Sequence, residues 1–126
     1  MSTMDAVFDD GTLKISRIIE DGILTLELIG KCIIRDANDT LMPIFATAME
    51  ESADNDRRLV LDFRQVTYMN SSSFAPVIKV LEKARLGKQA LTICYDRHQK
   101  WQTVSFSAMT IFKTPDERIR IDGGAA

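Results

Sequence analysis

The segment Asn70-Ser71-Ser72-Ser73 sets three hydroxyls directly ahead of an amphipathic stretch. In that stretch Phe74, Val77, Ile78, Leu81 and Ala84 fall at helical spacing until Gly87 ends the pattern. Pro76 is tolerable only near the first turn, so the helix must begin at Ser72 or Ser73, and the serines lie at its N-terminus. Such a terminus leaves N–H donors unpaired and carries about half a positive charge, which favours phosphate. The segment could therefore hold a bound anion or accept a covalent phosphoryl group. Serine and asparagine are also ordinary helix caps, and capping alone would account for the run.

Tyr95-Asp96-Arg97-His98 is the other polar cluster. Arg97 or His98 could make a secondary contact with a phosphate or a carboxylate near the sheet edge. Asp96 with Gln99 three residues later also reads as a capping box for a third helix. Ser71, His98 and Asp96 have the residue types of a hydrolytic triad, but Ser71 lacks the Gly-x-Ser-x-Gly elbow, and no glycine-rich phosphate loop is present. The chain is expected to be a kinase's substrate and not an enzyme. Cys32 and Cys94 lack zinc-site spacing, and Glu50, Glu51, Asp54 and Asp56 lack the order of a calcium loop, so neither a metal nor a cofactor is expected.

These residues must be positioned by a strand-helix alternation. Apolar residues at 13, 15, 18 and 19, the turn pair Asp21-Gly22, and Ile23, Leu24, Leu26, Leu28 and Ile29 read as a hairpin, with Gly30 ending its second strand. A helix is expected over 39–52, its start fixed by Pro43. Residues 58–63 read as a central strand followed by a turn, 90–95 as another strand, and 118–121 as an edge strand. The third helix should reach Met109 with Trp101, Val104 and Ala108 inward and Phe106 projecting elsewhere. Residues 1–11 read as a flexible arm, 12–121 as one domain and 122–126 as a frayed end. This is an α/β pattern: a mixed sheet of about four to five strands covered by about three to four helices.

A chain of 126 residues with 45% hydrophobic and 27% charged residues suits one globular domain. Its net charge of -2 gives no general drive toward nucleic acid or anionic lipid. No apolar run approaches the roughly 20 residues that span a bilayer, and the first residues are acidic where a targeting segment would be basic. A cytoplasmic location without membrane insertion is the expectation.

The order of strand, turn, Tyr68-Met69-Asn70-Ser71-Ser72-Ser73 and a helix ending at Gly87 resembles the STAS family, which includes bacterial anti-sigma-factor antagonists. The resemblance covers residues 12–113. Gly30 matches the glycine ending the family's early strand, and Ser107-Ala108 sits where Ser-Gly closes its last core helix. Asn70 stands where the family has aspartate, and Ser73 with Phe74 where it has glycine and a small apolar residue. The combination with Tyr95-Asp96-Arg97 is similar to a divergent branch, the biofilm-regulating SiaC-type phosphoproteins.

That resemblance implies Ser71 as phosphoacceptor, and as partners a serine/threonine kinase of the anti-sigma type, a PP2C-type phosphatase, and an effector such as a diguanylate cyclase or an anti-sigma factor. Phosphorylation adds about -1.5 to -2 charges, and a helix end returns only about 0.3 to 1 kcal/mol per charge. Desolvating an unpaired dianion in an interface costs several kcal/mol. A phosphate should thus expel a partner docked through Asn70, Ser72, Ser73 and Phe74. The alternatives are an unmodified STAS scaffold subunit of a transporter or multi-protein complex, and a small-ligand-binding STAS module.

Overall fold

The computed structural model of the protein describes residues 3–124. Strands β1 (Thr3–Asp9), β2 (Leu13–Glu20) and β3 (Ile23–Cys32) form an antiparallel meander. Asp21 and Gly22 both take positive φ, 53° and 74°, the turn geometry whose twist matches the flanking strands. Beyond β3 the strands β4 (Arg58–Met69), β5 (Leu91–Cys94) and β6 (Ile119–Asp122) run parallel to one another, in the order β1-β2-β3-β4-β5-β6. The crossovers carry α1 (Ala37–Asp54), α2 (Phe74–Leu86) and α3 (Lys100–Ser107). The molecule is thus α/β, with a mixed sheet and three α-helices, and one strand more than the sequence pattern suggested.

Register explains which face the helices cover. Leu24, Leu59, Leu91 and Ile119 form one row across the sheet, and Leu26, Leu61, Ile93 and Ile121 the next. All eight are buried in one cluster with Leu41 and Phe45 of α1 and Val77, Val80, Leu81 and Ala84 of α2. The opposite face carries Thr25, Val60, Thr92 and Arg120, then Glu27, Asp62, Cys94 and Asp122. Arg17 on β2 reaches from the core face to Glu51 of α1, with Nε to Oε1 at 2.8 Å and a second bond from Nη2 to Oε2, and its Nη1 meets Asp5 of β1 at 3.1 Å. One guanidinium therefore joins three elements. Among the described residues no helix is long and apolar enough to cross a membrane.

Several local expectations are corrected. The sixth strand is β1, within the segment read as an arm: Thr3–Asp9 pairs with β2 from Thr3 opposite Ile19 to Asp9 opposite Lys14. An edge strand buries little, and here only Phe8 packs on the core, so its sequence looks like a tail. At the other end Asp122 belongs to β6, Gly123 and Gly124 follow it, and Ala125 and Ala126 lie outside the described residues. Gly30 does not end its strand. It sits inside β3 at φ 112°, where a Cβ would lie 2.1 Å from the Thr12 carbonyl oxygen, so β2 and β3 approach too closely there for any side chain.

Pro43 does not mark the start of α1. The helix begins at Ala37, and Pro43 is its seventh residue, facing solvent beside burial of Leu41, Phe45 and Ala48. The carbonyl of Asp39, four residues earlier, loses its partner on the exposed side, where water can replace it. In α3 the inward residues are Gln102 and Phe106, followed by Met109 in the 3-10 turn Ala108–Phe112, whereas Val104 and Ala108 are exposed and Trp101 is half-buried. Asp96 and Gln99 form a turn ahead of the helix and not a capping box: the Gln99 N–H donates to the Asp96 carbonyl at 3.0 Å, and Gln99 itself holds the N-cap position of α3 without a side-chain cap bond. Phe106 is fully buried, its ring stacked on Tyr95 at 5.5 Å and tilted against Phe63 at 5.1 Å.

Candidate functional site

β4 is longer than its apolar run. Past residue 63, where a turn was expected, it continues to Met69 because β3 supplies partners: Ile29 opposite Gln65, Gly30 opposite Val66, Lys31 opposite Tyr68 and Cys32 opposite Met69. β5 stops at Cys94, opposite Asp62, which leaves this extension without a strand on its far side. α3 and the residue before it cover that edge with side-chain amides. Gln102 donates to the carbonyls of Phe63 and Val66 at 2.8 Å each and accepts the Asp96 N–H at 2.8 Å, while Gln99 donates to the Arg64 carbonyl at 3.1 Å. The extension thereby carries Asn70 and the serines to the tip of the sheet.

There the three serines separate into different environments. The chain turns through the 3-10 segment Ser71–Ser73 directly into α2, whose third residue is Pro76, as the proline required. Ser73 is fully buried: its Oγ donates to the Asn70 Oδ1 and accepts from the Cys32 thiol at 3.0 Å. Burial pushes the Cys32 thiol above its usual range. Ser72 directs its hydroxyl at the Ile34 carbonyl, 3.3 Å away, and at the Asn70 Oδ1 at 3.2 Å. Ser71 is exposed, and its hydroxyl has no hydrogen-bond partner among the described residues. Ser72 is exposed as well, so what sets Ser71 apart is a hydroxyl with no hydrogen-bond partner among the described residues.

Asn70 organises the turn. Its Oδ1 accepts the Ser73 N–H at 3.1 Å, its Nδ2 donates to the Ile34 carbonyl at 3.1 Å, and its own N–H donates to the Cys32 carbonyl at 3.0 Å. An aspartate could not make the bond to Ile34, so the asparagine ties the β3–α1 connection to the serine turn. Asn70 and Ser73, expected at a partner contact, are thus occupied within the fold. Phe74 is half-buried and meets Phe106 edge-on at 6.0 Å. With Ile78, Met109 and Ile111 it lines an apolar groove of about 410 Å³ between α2 and the turn after α3. Ile111 is 72% exposed there.

Arg97 and His98 are not brought to Ser71. Their turn is held at the level of Arg64 by Gln99, and Ser71 lies seven residues further along the chain, roughly 20 Å in strand geometry. Their side chains are exposed and bond nothing among the described residues, and Asp96 takes the His98 backbone N–H, not its imidazole. The residue types of a triad are therefore dispersed. Cys94 is pushed up to about 11, mainly by burial and then by the neighbouring Asp62 carboxylate. Among the described residues no cluster of three His, Cys, Asp or Glu side chains is placed to hold a metal. Neither a protein-family model nor a curated protein matches the sequence.

Sequence reasoning missed Gln102 and Ile34. A glutamine at a helical position between the aromatic residues Trp101 and Phe106 gave no sign of burial, and a backbone acceptor carries no side-chain signal.

Proposed function

We propose that this protein is a phosphorylation-controlled interaction switch of the STAS type, acting in the bacterial cytoplasm, with Ser71 as its phosphoacceptor. The observation that carries the reading is the unengaged hydroxyl of the exposed Ser71. Of three consecutive serines, its hydroxyl alone has no hydrogen-bond partner among the described residues, and it stands where a helix begins. A kinase would transfer the γ-phosphoryl group of a nucleoside triphosphate to the Ser71 Oγ, which loses its proton as the diphosphate leaves. A PP2C-type phosphatase would hydrolyse the ester and return the hydroxyl and inorganic phosphate.

Ser71, Phe74 and Ile78 follow one another at spacings of three and four, so they share one face of the helical run. The apolar groove beginning at Phe74 is the docking surface of the unphosphorylated form, with Ser72 beside it. A dianion one turn away must be desolvated on docking, at a cost of several kcal/mol, and the helix end offsets about 1 kcal/mol of it. Phosphorylation then releases the partner, an anti-sigma-type kinase or an effector such as a diguanylate cyclase or anti-sigma factor, while the fold stays intact.

The test is affinity measurement with wild-type, Ser71→Ala and Ser71→Asp proteins against each kinase or effector candidate encoded nearby. Ser71→Ala should retain binding and Ser71→Asp should weaken it at least tenfold. Equal affinities of all three forms for every candidate would overturn the switch.

A further inference from the structure

We propose that Arg35 is the residue that holds the phosphate once Ser71 is phosphorylated. The inference rests on the reading of Ser71 as phosphoacceptor and adds to it the group that receives the new charge. Arg35 lies in the turn between β3 and α1, exposed, and pairs with no carboxylate among the described residues. Its position relative to the serine turn is fixed by hydrogen bonds. The Ile34 carbonyl accepts from both Asn70 and Ser72, and the Arg35 carbonyl lies 3.5 Å from the Ser72 Oγ. Ser71 is the adjacent residue, one Cα step of about 3.8 Å away. The backbone of a residue with a long side chain and no carboxylate partner among the described residues is therefore held next to Ser72, within one residue of the free Ser71 hydroxyl.

The surrounding charges favour such a cation. Asp36 and Asp39, exposed in the turn ahead of α1 and in its first turn, would repel a phosphate at Ser71, and Lys31 near the end of β3 is the other nearby cation in the connection. The Ser73 N–H is already bonded to Asn70, which leaves fewer backbone donors for an anion than a bare helix end provides. A guanidinium fork matches two phosphate oxygens at once, a geometry that a lysine cannot supply. With the phosphate held against the 34–36 turn, about one of its two charges is balanced within the protein, the remaining charge still opposes docking, and the turn is locked to the start of α2.

The experiment places phosphoserine at position 71 of the full chain by genetic encoding, which needs no knowledge of the kinase, and follows the phosphate by phosphorus NMR across pH. In wild type its second ionisation should fall below the value of about 6 of free phosphoserine. Arg35→Gln should raise it by about half a unit or more, Arg35→Lys should lie between, and Lys88→Gln, exposed in the loop before β5, should match wild type. Identical titrations of wild type and Arg35→Gln, or an equal shift in Lys88→Gln, would overturn the assignment. This readout is independent of whether cells phosphorylate Ser71, so it fails separately from the switch itself.

Discussion

Asn70 and Ile34, 36 residues apart, are joined by a hydrogen bond of 3.1 Å from the Asn70 Nδ2 to the Ile34 carbonyl. Through the same carboxamide the oxygen accepts from Ser73 and Ser72, so one side chain holds the end of β3 against the start of α2 and leaves Ser71 projecting. The conformation of the candidate site is a property of Asn70 more than of the serines.

Asn70→Ala should cost about 1 to 3 kcal/mol, since it removes a cap and leaves partly buried groups unpaired. Asn70→Asp keeps the acceptor for Ser73 but sets a carboxylate against the Ile34 carbonyl, and should fall between wild type and Asn70→Ala. Urea denaturation reads both as a lower midpoint at unchanged slope.

Gln102→Leu should be costlier, at least about 2 kcal/mol, because two carbonyls of β4 and one N–H lose a side-chain partner in a site without exposed surface. Hydrogen exchange at Asp96 should accelerate along with the fall in the denaturation midpoint. An unchanged midpoint would mean that water replaces the amide.

Features fixed by neighbours in sequence were legible. Asp21-Gly22 gave the hairpin, Pro76 placed the serines at the start of α2, and the apolar runs located β5 and β6. Features fixed across the chain were not. β1 buries only Phe8, β4 is prolonged by pairing with β3, and Pro43 is tolerated inside α1 because the carbonyl it orphans faces solvent. The phase of α3 was misjudged because its most buried polar residue is a glutamine. At the site the position of Ser71 could be read from local rules, but its selective freedom could not, since that depends on Cys32, Ile34 and Asn70 occupying the other hydroxyls.

The Arg17–Glu51 pair should give stability a defined pH dependence. Hydrogen bonding and charge from Arg17 hold the Glu51 carboxyl below its usual range. A carboxyl lowered in the folded state stabilises above the unfolded value of about 4.3, and that stability is lost as pH falls through the folded value. Glu51→Gln should therefore be less stable than wild type by about 1 kcal/mol at pH 7, with the difference closing below pH 4. Thermal melts of the two proteins across pH 2 to 7 would check this.

Both thiols should be sluggish toward alkylation in the folded state. With Cys94 pushed up to about 11 by burial and Asp62, only about a thousandth of it is thiolate at pH 8. Iodoacetamide should label native protein roughly a hundredfold slower than protein unfolded in urea, as read by intact mass. Equal rates would show that Cys32 and Cys94 are accessible and ordinary.

The most direct test of the switch is peptide mass spectrometry on protein purified from its native host, with and without phosphatase treatment. The account predicts a phosphatase-sensitive phosphate on Ser71 and none on Ser72 or Ser73. An unmodified Ser71 under all growth conditions, including stress and surface attachment, would contradict it.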